Sequence, residues 1–177
     1  MGISLRYWSK PISQENFMLY KKFADDIKDL LGNERVKSMA TFTQHSDVSC
    51  LKHCLHVAIM SYIICKKLKF NESSCRNVAR GALLHDMFLY DWHDKNHGEL
   101  HGFRHPAIAL KKAEKYVDNL TECQKDIILN HMWPLTIYRM PQRKETYVVV
   151  LTDKICTILE VFKMKKIKIF KQAEKLL

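Results

Sequence analysis

Apolar residues recur three and four positions apart along most of the chain, the spacing that gathers them on one face of an α-helix. Phe17, Tyr20, Phe23, Ile27, Leu30 and Leu31 predict a first helix, with Gly32-Asn33 reading as its C-terminal cap. A second is expected over 51–68, where Leu55, Ala58, Ile59, Tyr62 and Ile63 keep the period. A third starts near 72–74 and runs through Val78, Ala82 and Leu83 to His85-Asp86. The pattern then breaks: residues 90–104 are polar, aromatic and His-rich, and read as a loop. His105-Pro106 restarts a helix with Pro at its first position, and Thr121-Glu-Cys-Gln124 reads as a capping box opening another that reaches His131. Pro134 and Pro141 interrupt, and a last long helix is expected over 145–162. The one strand-like run, 147–152, has the length and flanks of a buried helix and is taken as one.

Composition narrows the class. With 177 residues, 47% of them hydrophobic and 27% charged, the chain can bury a substantial core and is neither disordered nor collagenous. Five Gly and four Pro are too few for the turns of a barrel or sandwich. The expectation is an all-α, single-domain bundle: an N-terminal helical segment over 1–44, a helical core over 45–162 and a basic C-terminal helix over 163–177. No uncharged run approaches the ~20 residues of a membrane span. No apolar leader follows Met1, and Arg6 stands where a myristoylation motif has Ser or Thr, so the expected compartment is the cytoplasm. In that compartment the six Cys read as thiols. Cys50 and Cys54 could form half of a zinc site, but no second Cys pair accompanies them.

Half of the net charge of +10 sits in residues 163–177, which carry six Lys and one Glu. The mixed basic and apolar order there predicts a terminal helix with its apolar stripe on the core. RNA or a membrane surface is the less favoured partner. A basic chain also concentrates phosphate-bearing small molecules near its surface.

Nine His is a heavy load, and none follows His131. His85-Asp86 closes an apolar helix, and two adjacent ligating side chains at a helix end can both reach one cation. Imidazole with carboxylate suits Mn, Fe, Zn, Ni or Co. His53 and Asp153 each lie inside an apolar helix, where a carboxylate is costly unless it is paired or bound to a cation. His105 at a helix start and His131 at a helix end complete a set able to converge on one pocket. Taken alone, Asp153 also suits a salt bridge or an exposed face.

His53-Cys-Leu-His-Val-Ala, Ala82-Leu-Leu-His85-Asp86 and Leu151-Thr-Asp153-Lys154 resemble, in order and spacing, the HD-domain metal-dependent phosphohydrolase superfamily. The resemblance spans roughly residues 45–162, and His105 and His131 match the members that carry two metals. It implies one divalent transition metal ion held by His53, His85, Asp86 and Asp153, with Asp86 bridging to a second held by His105 and His131. The implied activity is hydrolysis of a phosphoester, in a nucleotide or nucleotide-like small molecule, by a metal-activated water. Asp86 or Asp153 would orient that water. The same ligands loaded with iron support a di-iron oxygenase, and a non-catalytic ligand-binding module is the third possibility.

The family often continues HD with Ile-Gly-Lys, whereas this chain continues Met87-Phe88-Leu89-Tyr90. Lys154, Arg80 or Arg104 is expected to replace the missing Lys against phosphate. His56, on the same side of its helix as His53, reads as a supporting or substrate-facing residue. His45 is expected at the pocket entrance or as a loop histidine. His93, His97 and His101 read as loop histidines, one of which, with His101 preferred, faces a substrate phosphate. Tyr90 and Trp92 read as packing aromatics or a base-stacking surface.

Overall fold

A computed structural model of the chain describes residues 14–45, 48–91, 101–162 and 168–177. The architecture is all-α, with one small hairpin. Helix α1 (Gln14–Gly32) leads through α2 (Glu34–Lys37) and a 3-10 turn, Ser38–Thr41, into β1 (Thr43–His45) and β2 (Val48–Ser49). Then follow α3 (Cys50–Lys67), α4 (Glu72–Leu84), α5 (His101–Tyr116), α6 (Glu122–Asn130), α7 (Lys144–Val161), α8 (Lys168–Ala173) and a 3-10 turn, Glu174–Leu176. No helix among the described residues is long and apolar enough to cross a membrane.

Helix α3 is the axis of the bundle. It is buried on nearly every side, from Leu51 and Leu55 through Val57, Ile59 and Tyr62 to Cys65, as expected of a helix with apolar residues all round. Helices α4, α7 and α8 pack on it, α6 packs on α4, α5 and α7, and α1 lies across α4. The Phe23 ring of α1 meets the Tyr62 ring of α3 at 5.4 Å between centroids. Polar contacts fix α1 to α4: Arg76 Nη1 donates to Asp26 Oδ1 (3.1 Å), and both Nη atoms of Arg80 reach the Asp29 carboxylate at 2.6 and 2.9 Å.

Helix starts are set by the side chains that sequence reasoning looks for. Ser49, Asn71 and Thr121 each accept a hydrogen bond from the backbone N–H three residues on. At Thr121 only half of the capping box forms, because the Gln124 amide donates to Asn77 Oδ1 (2.9 Å) instead of turning back. Helix α3 ends without glycine. Phe70 N–H bonds to Cys65 O and Lys69 N–H to Lys66 O, with Lys69 at φ 57°, the pattern of a Schellman cap.

Helix α1 ends at Gly32 as expected, with Asn33 N–H bonded to Leu30 O (3.0 Å), and Asn33 also opens α2, accepting from Arg35 N and Val36 N while its amide donates to Tyr116 O. Three expectations are corrected. Helix α5 begins at His101, so the loop read over 90–104 extends too far and Pro106 lies inside the helix. Proline there loses a single backbone bond close to the helix start, where few such bonds exist. The hairpin β1–β2, which pairs Thr43 with Ser49 and His45 with Val48, was not expected at all. The basic tail contains the short α8 from Lys168 rather than one helix over 163–177, and residues 163–167 lie outside the described residues. The run 147–152 is helical, within α7.

Gly81 sets the approach of α4 to α6. A Cβ there would stand 2.9 Å from Ile127 Cδ1 and 3.0 Å from Ile127 Cβ. Gly81→Ala is therefore expected to destabilise the fold by about 1–3 kcal/mol of overpacking, less the ~1 kcal/mol of helix propensity it gains. Denaturant unfolding of Gly81→Ala, alone and with Ile127→Val, checks this; the double variant should recover part of the loss.

Candidate metal centre

Five helices deliver six side chains to one buried locus. His53 comes from the first turn of α3, His85 and Asp86 from the end of α4, His105 from α5, His131 from the end of α6 and Asp153 from α7. All six are less than a tenth exposed. His85 and His131 arrive by the same local device. Each is the C-cap of its helix, and its ring Nδ1–H donates to the carbonyl three residues back, Ala82 O at 2.7 Å and Ile128 O at 2.8 Å. That bond satisfies a carbonyl the helix end would otherwise leave bare. A carbonyl only accepts, so Nδ1 carries a proton and Nε2 is the nitrogen turned inward.

His53 is held in the same sense by a carboxylate. Its Nδ1–H donates to Glu160 Oε2 (2.8 Å), while Nε2 lies 3.1 Å from Asp153 Oδ1. His85 Nε2 stands 3.3 Å from Asp86 Oδ2 and 3.6 Å from Asp153 Oδ1. On the other side of Asp86, Oδ1 lies 3.2 Å from His105 Nε2 and 3.5 Å from His131 Nε2, and the two Nε2 atoms are 2.9 Å apart. The atoms form two groups sharing Asp86: His53–His85–Asp86 and Asp86–His105–His131. Within each group the potential ligand atoms lie within 4.8 Å of one another.

The electrostatics follow from burial and crowding. Burial disfavours protonation of His53, yet its bonds to Asp153 and Glu160 outweigh this and raise its pKa to about 10. Burial also opposes the charge on Asp86 and Asp153, but the histidines beside them hold both carboxyls well below the usual range. His131 goes the other way. Burial, with His85 as a cationic neighbour, pushes it down to about 3, so its ring stays neutral.

Two atoms at the heart of the cluster, His85 Nε2 and Asp86 Oδ1, have no hydrogen-bond partner. Imidazole nitrogens and carboxylate oxygens converging there make the donor set that first-row divalent ions prefer. The residues fit such an ion.

A family model for the HD domain matches residues 50–158. The chain belongs to the HD-domain family. No curated protein and no solved structure matches it.

This HD domain does not bring every expected residue to the locus. Arg80 is a correction: buried on α4, it is committed to the Asp29 carboxylate and to Asp26 O (3.1 Å). His56 faces away from the six, between Glu160 Oε1 (2.8 Å) and Glu174 Oε1 (2.9 Å), so it supports and does not face substrate. Lys154 is half-buried beside Asp153, where burial lowers its pKa and Nζ donates to Val150 O (3.4 Å). Arg104 is exposed, next to His105 in sequence. The side chains of His45 and His101, and residues His93, His97 and Trp92, lie outside the described residues. Tyr90 is half-buried with its ring 4.9 Å from Phe88, a packing aromatic.

Three neighbours escaped sequence reasoning. Glu160 lies seven residues after Asp153, hence on the same face of α7, and that spacing of carboxylates on an apolar helix is a signal that could have found it. Gln44 donates from Nε2 to Asp86 Oδ2 (2.6 Å), but a lone Gln in a short strand carries no signal. The Cys50 thiol donates to the Asp86 backbone carbonyl (3.2 Å), and all six cysteines are buried thiols without a disulfide.

If Arg80 is purely structural, Arg80→Met should cost about 1–3 kcal/mol of stability through its lost charged hydrogen bonds. It should leave the metal content of the protein unchanged. Denaturant midpoints and elemental mass spectrometry on the same sample check both halves.

Proposed function

We propose that this HD-domain protein is a metal-dependent phosphohydrolase acting on a phosphoester of a nucleotide or nucleotide-like small molecule. The observation that carries the reading is Asp86, buried and shared between two His/Asp groups with one oxygen turned to each. His53, His85, Asp86 and Asp153 would hold one divalent transition metal ion, and Asp86, His105 and His131 a second. When bound, such ions lower the pKa of a coordinated water toward about 7 and polarise a phosphoryl oxygen.

The chain's own side chains supply the rest. Asp86 and Asp153, kept ionised by the surrounding histidines, accept a hydrogen bond from the attacking water and so orient it. Arg104 and Lys154, each one residue from a ligand, offset the charge that develops on the phosphoryl oxygens. His45 and His101 are assigned to the substrate side by their place in the sequence, at the hairpin and at the start of α5. The excess of basic residues draws a phosphorylated substrate toward the protein.

Two measurements test this reading. Protein loaded with Mn2+ or Co2+ is expected to hold two equivalents by elemental mass spectrometry. His53→Ala and His105→Ala should each lose one, and Asp86→Ala both. A panel of nucleotide mono- and diesters should then yield phosphate or a nucleoside monophosphate, with and without O2, and with activity abolished by a chelator and by Asp86→Ala. Turnover that requires O2 would replace the hydrolase by an oxygenase. Metal without any turnover would leave a binding module.

A further inference from the structure

Two glutamates beyond the matched residues 50–158 are linked to the metal centre through an unbroken line of side chains. Glu160 uses both oxygens: Oε2 accepts from His53 Nδ1, and Oε1 lies 2.8 Å from His56 Nδ1. The opposite edge of the His56 ring, Nε2, lies 2.9 Å from Glu174 Oε1, in the 3-10 turn after α8. The chain of contacts therefore reads Glu174–His56–Glu160–His53–Asp153. Glu160 is 5% exposed, so neither water nor a mobile counter-ion easily takes its place.

The C-terminal segment is seated on this line by packing as well. Phe170, 4% exposed, lies flat on the His56 ring with centroids 4.1 Å apart and planes 9° from parallel. Glu174 Oε2 is also 3.3 Å from Lys52 Nζ, on α3 one residue before His53. Helix α8 and the turn after it thus cover the side of α3 that carries His56, and hold that ring from its face and its edge.

We infer that Glu160 is a positioning residue for the metal ligand His53, and that the C-terminal segment, through Glu174 and Phe170 on His56, holds Glu160 in place. The inference rests on the metal-centre reading above and extends it to a part of the chain outside the HD-domain match. Its physical basis is the choice an imidazole faces between two nitrogens. A carboxylate accepting from Nδ1 fixes the tautomer and the ring plane, leaves Nε2 as the ligating atom, and makes it a stronger donor. His85 and His131 obtain the same fixing from backbone carbonyls at their helix ends. His53 lies inside α3, where the carbonyls are spent on the helix itself, so its acceptor must come from another element. Glu160 is that acceptor, and its second oxygen would drift without His56.

The test uses the full-length protein with Co2+ as the probe, titrated against a chromophoric chelator while the visible d–d spectrum is recorded. Glu160→Gln keeps the shape but replaces the carboxylate. It is expected to weaken one of two Co2+ sites about 10- to 100-fold and to shift that site's absorption. Glu160→Asp, which keeps the charge, should recover part of both. Glu174→Gln, at a residue a third exposed and therefore tolerant of change, is expected to move affinity and spectrum in the same direction by less. A purely structural role would lower the melting temperature of the variants and leave the spectrum as in the parent. That result, or equal Co2+ affinity in all four proteins, overturns the inference while the metal centre stands. A change in the Glu160 variants with none in Glu174→Gln overturns the part assigned to the C-terminal segment. A parent protein that binds no Co2+ overturns the metal-centre reading, and the inference with it.

Discussion

The carboxylate of Asp86 sits in the interior, 3% exposed, and the arrangement of the bundle answers to that fact. An uncompensated buried carboxylate costs several kcal/mol. Compensation cannot come from α4 alone, because the only ligating neighbour that helix offers is His85. It comes from α5 through His105, from α6 through His131 and from β1 through the Gln44 amide. Asp153 poses the same problem on α7 and is met by His53 of α3 and by His85. Five helices and a strand are thus committed to two negative charges, and the fold and the centre are specified together. A divalent ion held there by the folded chain alone would add to its stability by mass action, and metal supply and folding would then be linked.

Precision at the centre is delivered by local devices. The C-caps of α4 and α6 turn His85 and His131 inward with the same tautomer, and Gly81 lets the two helices approach closely enough for those rings to meet at 4.8 Å, edge to face. A bulkier residue at 81 would disturb the spacing of the ligands before it disturbed the identity of any of them. Stability and chemistry share this contact.

Much of this was legible in the chain. The six clustered residues stand out because each breaks an apolar helical pattern or ends one, and breaking a pattern with His or Asp is costly enough to need a reason. The helices themselves followed from their period and, at Thr121, from the cap, since local chemistry is what a sequence displays. What escaped notice depends on tertiary approach. Arg80 looked available for phosphate because its helix carries the HD pair, yet it faces α1, and only the packing of α1 on α4 reveals Asp29 as its partner. The hairpin β1–β2 is too short to show a period of two. Gln44 gains its meaning solely from proximity to Asp86.

On the phosphohydrolase reading, the segment after the HD pair decides where positive charge for a phosphate would have to come from. Met87 and Phe88 are fully buried, and Leu89 turns the chain at φ 57°, so the run dives into the core and presents no cation to the centre. The role falls to another element. Lys154 is half-buried, its ammonium donating to Val150 O, and burial lowers its pKa. Arg104 is exposed on α5. Burial and Asp86 raise the hydroxyl pKa of Tyr90, with Arg104 opposing them. On the phosphohydrolase reading proposed above, the exposed Arg104 of α5 and the half-buried Lys154 of α7, each one residue from a ligand, are left to share that charge.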